Sequence, residues 1–326
     1  MKRKYLFAFI YDNRDCLFRD ILSTESPIEY FPSHKKYGNR IVNFIESCVL
    51  SYQVNSKVNF PFQTAFYNLD SYEYEGDVEY YLIIPNSSIA KFTVKYLSSF
   101  KNKHKNIKLV ALLVDSMHGS SIQMNLVRNK LKTDIWDYIL TYDKYDAAEF
   151  GYSWIGYTYY SAHDDASVSN HKSDIFCVSS PKGRVGTYAE LYKIFQFHNV
   201  NCNFRLFTHS KEKYLAGTDL EYMHDFMKYD DVVGEIKASN CILEILQPNQ
   251  KMQTIRYFEA IVYNKKLLTN NSNIYELPYY DSRYMKVYSK TEDIDFDWIK
   301  KKEKIQYDYN NEFSPNELVT VLSKLK

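Results

Sequence analysis

Glycine is scarce in this chain, with nine among 326 residues. No Gly-x-Gly-x-x-Gly follows the first apolar run, which ends in Tyr11-Asp12-Asn13-Arg14, and this argues against a dinucleotide-dependent oxidoreductase. Cysteine is equally sparse. The five residues, at positions 16, 48, 177, 202 and 241, form no Cys-x-x-Cys pair. They read as reduced, buried core residues of a cytoplasmic protein, not as a disulfide or zinc framework. No run approaches the roughly 20 apolar residues of a membrane span. The basic opening and its six apolar residues are too short for a signal peptide, so Tyr5–Tyr11 is expected to be a first buried strand. An excess of charge is also missing. With 41 basic and 40 acidic side chains the net charge is +1, which gives no support for broad nucleic-acid binding.

What the chain has in quantity is aromatic residues, 32 Tyr and 20 Phe. A Tyr-, Asn- and Lys-rich coding bias accounts for them; sugar stacking and a membrane surface are the functional alternatives. The length suits two domains, each with its own core. Strand and helix patterns alternate. Strands are expected at 5–11, 79–84, 107–114 and 138–142, with helices at 39–51, 90–100 and 122–132. The helix at 39–51 is expected to turn Ile41, Phe44, Ile45 and Val49 to the core. An extended piece begins at Trp154. Such alternation argues for mostly parallel sheets covered on both faces. Residues 161–173 are small and polar and read as a linker, dividing the chain into domains 1–165 and 166–326. The second half continues with strands at 174–179, 203–207, 241–246, 266–269 and 285–288. Its helices fall at 187–197, 231–238 and from Thr254, and a last helix, 314–325, is capped by Ser314.

The most informative stretch is 240–271. An apolar strand, Cys241–Leu246, ends in the polar loop Gln247–Lys251, which holds Pro248. Thr254 then opens a helix whose Ile255, Phe258 and Val262 share one face. A helix starting beyond the carboxyl end of a strand is where doubly wound sheets bind phosphates. Gln250, Thr254 and Arg256 lie in the loop and first turn, and Glu259 follows. Donors and positive charge at the helix start suit a diphosphate, and a carboxylate further along suits ribose hydroxyls. An ordinary surface helix with a Thr cap and an Arg–Glu i,i+3 pair has the same pattern.

This segment resembles the donor-site signature of GT-B glycosyltransferases, in particular the small bacterial enzymes of capsule, exopolysaccharide and lipopolysaccharide assembly. The matching residues are Pro248, Gln250, Thr254, Arg256, Glu259, Ala260, Lys265, Lys266, Leu267, Thr269 and Asn270. Further similarity lies in Tyr142–Ala148 with Phe150-Gly151-Tyr152, and in Tyr229–Ser239. Lys251-Met252-Gln253 departs from the pattern, since relatives often have a Gly-containing turn there. The resemblance implies an α/β fold of two Rossmann-like doubly wound domains facing a central cleft. It also implies an acceptor side in the first domain and a nucleotide-sugar side in the second. Expected donor-binding residues are Lys182, Gly183, Arg184, Gln250, Thr254, Arg256 and Glu259, with Glu259 on the ribose.

Other segments complete the picture. Ser180–Gly186 carries two glycines beside Lys182 and Arg184, suited to a diphosphate. Asp115 and His118 follow the strongest strand of the first half and are candidate catalytic residues together with Arg256. Asp143, Lys144 and Asp12 are weaker candidates for contacts in the cleft; in the family the loop of Asp12 faces the acceptor. Asp293-x-Asp295-x-Asp297 reads as the acidic first turn of a late helix, not a metal motif, and no metal or cofactor is expected. His163, Asp164, Asp165 and His171 read as solubilising linker residues.

The expected activity is metal-independent transfer of a sugar from a nucleotide-sugar donor to a glycan or lipid-linked glycan, with retention of configuration by analogy. A sugar-nucleotide epimerase of the same plan and a non-catalytic sugar- or partner-binding subunit are the alternatives. The expected location is cytoplasmic. A lipid-linked acceptor would put the chain at the inner membrane face in peripheral association, although no amphipathic basic helix shows this in the sequence.

Overall fold

The computed structural model describes residues 2–9, 16–58, 60–118, 121–208, 213–215, 217–247 and 250–325. Asp12, Gly119 and Pro248 lie outside them, as do residues 10 and 11 of the expected first strand. The chain forms two units, 1–161 with 313–326, and 162–312.

The first unit is built on a sheet of β1 (Lys2–Phe9), β2 (Ile28–Pro32), β3 (Val78–Pro85), β4 (Ile107–Leu113), β5 (Tyr138–Thr141) and β6 (Ser153–Trp154). The order is β2-β1-β3-β4-β5-β6, and every pairing is parallel. Its central strands β3 and β4 are buried on both faces, as the interior of a parallel sheet requires. The period of two is visible in β3. Tyr80, Leu82 and Ile84 enter one core, and Tyr81 and Ile83 the other. The helices are α1 (Arg40–Val49), α2 (Tyr52–Asn55), α3 (Asn86–Ile89), α4 (Val94–Lys103), α5 (Ile122–Leu131) and α6 (Lys144–Phe150).

The second unit has β7 (Ser173–Ser179), β8 (Cys202–Phe207), β9 (Tyr222–Met223), β10 (Ser239–Glu244), β11 (Lys266–Thr269) and β12 (Met285–Val287). Their order is β12-β11-β10-β7-β8-β9, again all parallel. The helices are α7 (Val185–Phe197), α8 (Tyr229–Ala238), α9 (Ile255–Val262) and α10 (Phe296–Lys300). In this sheet the direction of winding reverses between β7 and β10, and a doubly wound sheet binds its ligand outside the carboxyl ends of the strands at that point.

Several expectations change. The last helix, α11 (Leu318–Lys324), belongs to the first unit, where Leu318 and Leu322 pack on the face containing Phe7 and Phe18. Helix α1 has the expected period but the opposite orientation. Val42, Glu46 and Val49 form its inner side, where His34 Nε2 holds Glu46 at 3.0 Å, and Ile41, Phe44 and Ile45 are exposed. Periodicity finds the stripes of a helix but not which stripe the core takes. Cys48 shares the outer side, so it is exposed and not a core residue. The polar stretch after 161 is built into the second unit. Lys237 Nζ donates to the carbonyls of His163, Asp164 and Ala166, and buried His163 Nδ1 lies 2.7 Å from Asp230.

Candidate functional site

The carboxyl ends of β7 and β10 flank a cavity of about 230 Å³. Its walls come from Cys177–Ser180 at the end of β7, from Ile245 and Gln247 after β10, and from Thr254–Arg256 at the start of α9. Lys182, Arg184 and Gln250 also line it. Five of the seven expected donor residues are thus brought together at the switch point of the sheet. Among the described residues that line it, three are cationic and none is a carboxylate. The field shows at buried Cys177: burial pushes its thiol up to about 12, while Arg256 and Arg184 pull against that rise.

The loop before α7 is tightly specified. Lys182 has φ +44° and Gly183 φ +86°, so two successive residues take the left-handed conformation. Glycine adopts it freely, whereas a lysine there stores roughly 1–3 kcal/mol of strain. Gly183 itself does not line the cavity. Arg184 supplies the compensation. Its guanidinium donates to the carbonyls of Ser180, Pro181 and Ile245, tying the β7 loop to the end of β10. Arg184 therefore braces the cavity, and much of its donor capacity is already engaged. Exposed Lys182 lines the cavity and forms no ion pair among the described residues.

Beneath the opposite wall lie two fully buried carboxylates. Glu244 is the last residue of β10 and sits between apolar Leu243 and Ile245. It accepts from the Thr254 backbone N–H at 2.8 Å, from Thr254 Oγ1 at 2.7 Å and from Thr269 Oγ1 at 2.6 Å. Burial raises its pKa, and these bonds counter the rise. Glu244 holds the cap residue of α9, since Thr254 Oγ1 in turn accepts from Arg256 N–H. Sequence reading passed over Glu244. The available signal was a single acid in a strand of apolar neighbours, which demands buried donors.

Glu259 differs from expectation in its position. It does not line the cavity but is fully buried beneath it, paired with Arg256 and accepting from Tyr229 Oη at 2.5 Å. Burial pushes its carboxyl up to about 7, against the pull of Arg256. In this arrangement it positions Arg256 and is closed to a ribose. The segment after α9 is likewise structural. Lys265 Nζ donates to two backbone carbonyls, Lys266 Nζ to two others, and Asn270 Oδ1 accepts from Leu246 N–H.

In the first unit, Asp115 and His118 follow β4. Asp115 accepts from Asn86 Nδ2 at 2.9 Å, and exposed His118 places Nε2 at 3.3 Å from buried Asp146. Asp146 also accepts from Met117 N–H, and burial raises it to about 6. Asp143 is occupied as the cap of α6, accepting from Tyr145 and Asp146 N–H, in a loop where no helix was expected so early. In the second unit, Asp295 caps α10 at Trp298 N–H, and Asp293 accepts from Ser289 and Lys290 N–H.

No protein-family profile matches the chain, and no curated protein matches it in sequence. Solved structures do match. The UDP co-structure of MnaA from S. aureus aligns with a TM-score of 0.52 and 13% identity, over 100% of this chain and 98% of that one. The alpha,alpha-trehalose-phosphate synthase (UDP-forming) from Burkholderia vietnamiensis aligns with a TM-score of 0.51 and 8% identity, over 82% and 84%. At these identities the likeness is one of fold: two Rossmann-like α/β units in one chain, the GT-B plan.

Proposed function

We propose that this chain is a glycosyltransferase whose second unit binds the diphosphate of a nucleotide-sugar at the β7–β10 switch point. One observation carries the reading. The start of α9, Lys182, Arg256, Gln250 and Thr254 converge on one cavity with no carboxylate among the described residues of its walls. A helix N-terminus carries partial positive charge, and each charge-assisted hydrogen bond to a phosphate is worth roughly 1.5–3 kcal/mol. At 230 Å³ the cavity is smaller than the ~300–1,000 Å³ usual for whole ligands, which fits a subsite for the diphosphate end. The two solved structures named above carry UDP or are described as UDP-forming, so uridine is the base to try first.

In the reaction the bond from the anomeric carbon to the diphosphate breaks, and its electron pair goes to the phosphate oxygen. An acceptor oxygen bonds to that carbon and passes its proton to the departing phosphate oxygen. Lys182, Arg256 and the start of α9 stabilise the departing charge, which makes a metal ion unnecessary for that task. Glu259 acts through Arg256 as a positioning residue. Asp115 and His118 are the acceptor-side candidates, and a glycan or lipid-linked glycan of bacterial surface polysaccharide synthesis is the acceptor class. Retention of configuration is proposed by analogy.

The experiment is product analysis with UDP-, GDP-, CMP- and dTDP-sugars and mixed glycan acceptors. Acceptor-dependent release of the nucleoside phosphate is expected. Conversion of a sugar nucleotide without release would shift the assignment to epimerisation. Binding of a sugar with no turnover would mark a binding subunit.

A further inference from the structure

We propose that the face of the first unit formed by α1, α2 and the turn after them docks on the surface of an anionic lipid bilayer. This face stands outside the proposed nucleotide site, and none of its residues lines that cavity.

The first observation is exposure. Ile41 and Phe44 are each 69% exposed, Phe62 52%, Val58 49%, Ile45 43% and Tyr52 40%. Isolated apolar side chains on a surface need no explanation, but here three occupy one side of a single helix and three more follow within 20 residues. Ile41, Phe44 and Ile45 recur at helical spacing, with Cys48 one turn on. The opposite side of α1 carries Glu46 and Val49 into the core. The helix is therefore amphipathic with its more apolar side outward, the inverse of an ordinary surface helix. Its ten residues span roughly 15 Å, enough to lie along an interface and too short to cross a bilayer.

The second observation is charge, and it selects the occupant. From Tyr30 to Leu69 the chain holds four lysine or arginine residues, Lys35, Lys36, Arg40 and Lys57, and a single acid, Glu46. All four cations are exposed, and the acid is buried against His34. Within these bounds, which are flanked by exposed Glu29 and Asp70, the exposed charge is entirely positive. Exposed aromatic and aliphatic groups among lysines and arginines fit the interface of a bilayer with anionic headgroups. Each basic residue adds attraction there, and the apolar groups enter the acyl boundary. A second copy of this face would bring like charges together.

The test is co-sedimentation of the full chain with vesicles of phosphatidylcholine alone and of equal parts phosphatidylcholine and phosphatidylglycerol. Binding to the second and not the first, weakened by added salt, is expected. The triple variants Ile41→Ser/Phe44→Ser/Phe62→Ser and Lys35→Glu/Lys36→Glu/Arg40→Glu should each lower partitioning roughly tenfold or more. Their thermal unfolding should stay unchanged, because these side chains are exposed. A polarity-sensitive dye on Cys48, with Cys16 and Cys202 replaced by Ser, should shift to the blue on adding the anionic vesicles. Absence of binding to either vesicle overturns the proposal, as does binding indifferent to both variants. A concentration-dependent dimer in sedimentation velocity, dissolved by the apolar triple variant, would instead assign the face to a second copy. Nucleotide affinity, measured apart, is unaffected by either variant, so failure here leaves the donor site standing.

Discussion

Arg256 Nη1 lies 2.6 Å from Glu259 Oε2, one turn apart on α9, with the guanidinium at the wall of the cavity and the carboxylate sealed beneath it. This cavity-lining cation is held from behind by a buried acid. Removing one member of a buried pair leaves the other uncompensated, which costs about 3–5 kcal/mol. Arg256→Ala should lose stability on that scale and also lose nucleotide affinity. Urea unfolding and a nucleotide titration, read side by side, check both.

The same pair sets a pH dependence. Burial raises the Glu259 carboxyl to about 7 in the folded chain, from an ordinary value of 4.5. A raised acid favours the folded state while it is protonated. Its contribution is therefore fully present below the unfolded value and is lost as pH rises through about 7. Glu259→Gln should flatten this limb of the stability curve. Urea midpoints of the two proteins across pH ~5 to ~8 should converge less at one end than at the other.

Lys182 separates binding from folding. It is exposed, sits in the left-handed region and pairs with no acid among the described residues. Lys182→Ala should weaken UDP binding by roughly tenfold, the loss of one charge-assisted bond, and shift stability by less than ~0.5 kcal/mol. Calorimetry with UDP and thermal unfolding without it give the two numbers.

Gly234 marks a close approach within the second unit. A Cβ there would lie 2.5 Å from the Ser167 carbonyl oxygen, and Ser169 N–H donates to Gly234 at 3.0 Å. Gly234→Ala gains up to ~1 kcal/mol of helix propensity but forces the 167–169 segment off α8. A net destabilisation of roughly 1–3 kcal/mol is expected by denaturant unfolding.

Much of this architecture was legible because parallel strands are buried on both faces and read as apolar runs. The runs at β3, β4, β7 and β11 are of that kind, and each lies within a residue or two of its expected limits. Strand β2 was not anticipated. Its sequence, Ile-Glu-Tyr-Phe-Pro, lies at the sheet edge with mixed burial and shows no continuous apolar signal. The cavity residues near Thr254 were legible from order alone, since a cap residue, a loop and a strand end must be neighbours. The depth of Glu259 was not, because helical spacing puts Arg256 and Glu259 on one side without saying which of them meets solvent. Glu244 was hidden by its apolar neighbours, although it organises the helix start. The orientation of α1 was unreadable for a related reason: both of its sides carry apolar residues, and the inner one is the side where Glu46 meets His34 and Val42 and Val49 pack on the core.

Calorimetric titration of the full chain with UDP, in buffer containing a chelator, is the decisive test of the proposed donor site. Saturable binding at one site is expected, weakened in Lys182→Ala and nearly abolished in Arg256→Lys, which keeps the charge but loses the planar fork. Absence of binding by UDP, GDP, CMP and dTDP alike, or binding equal in all three proteins, would contradict it.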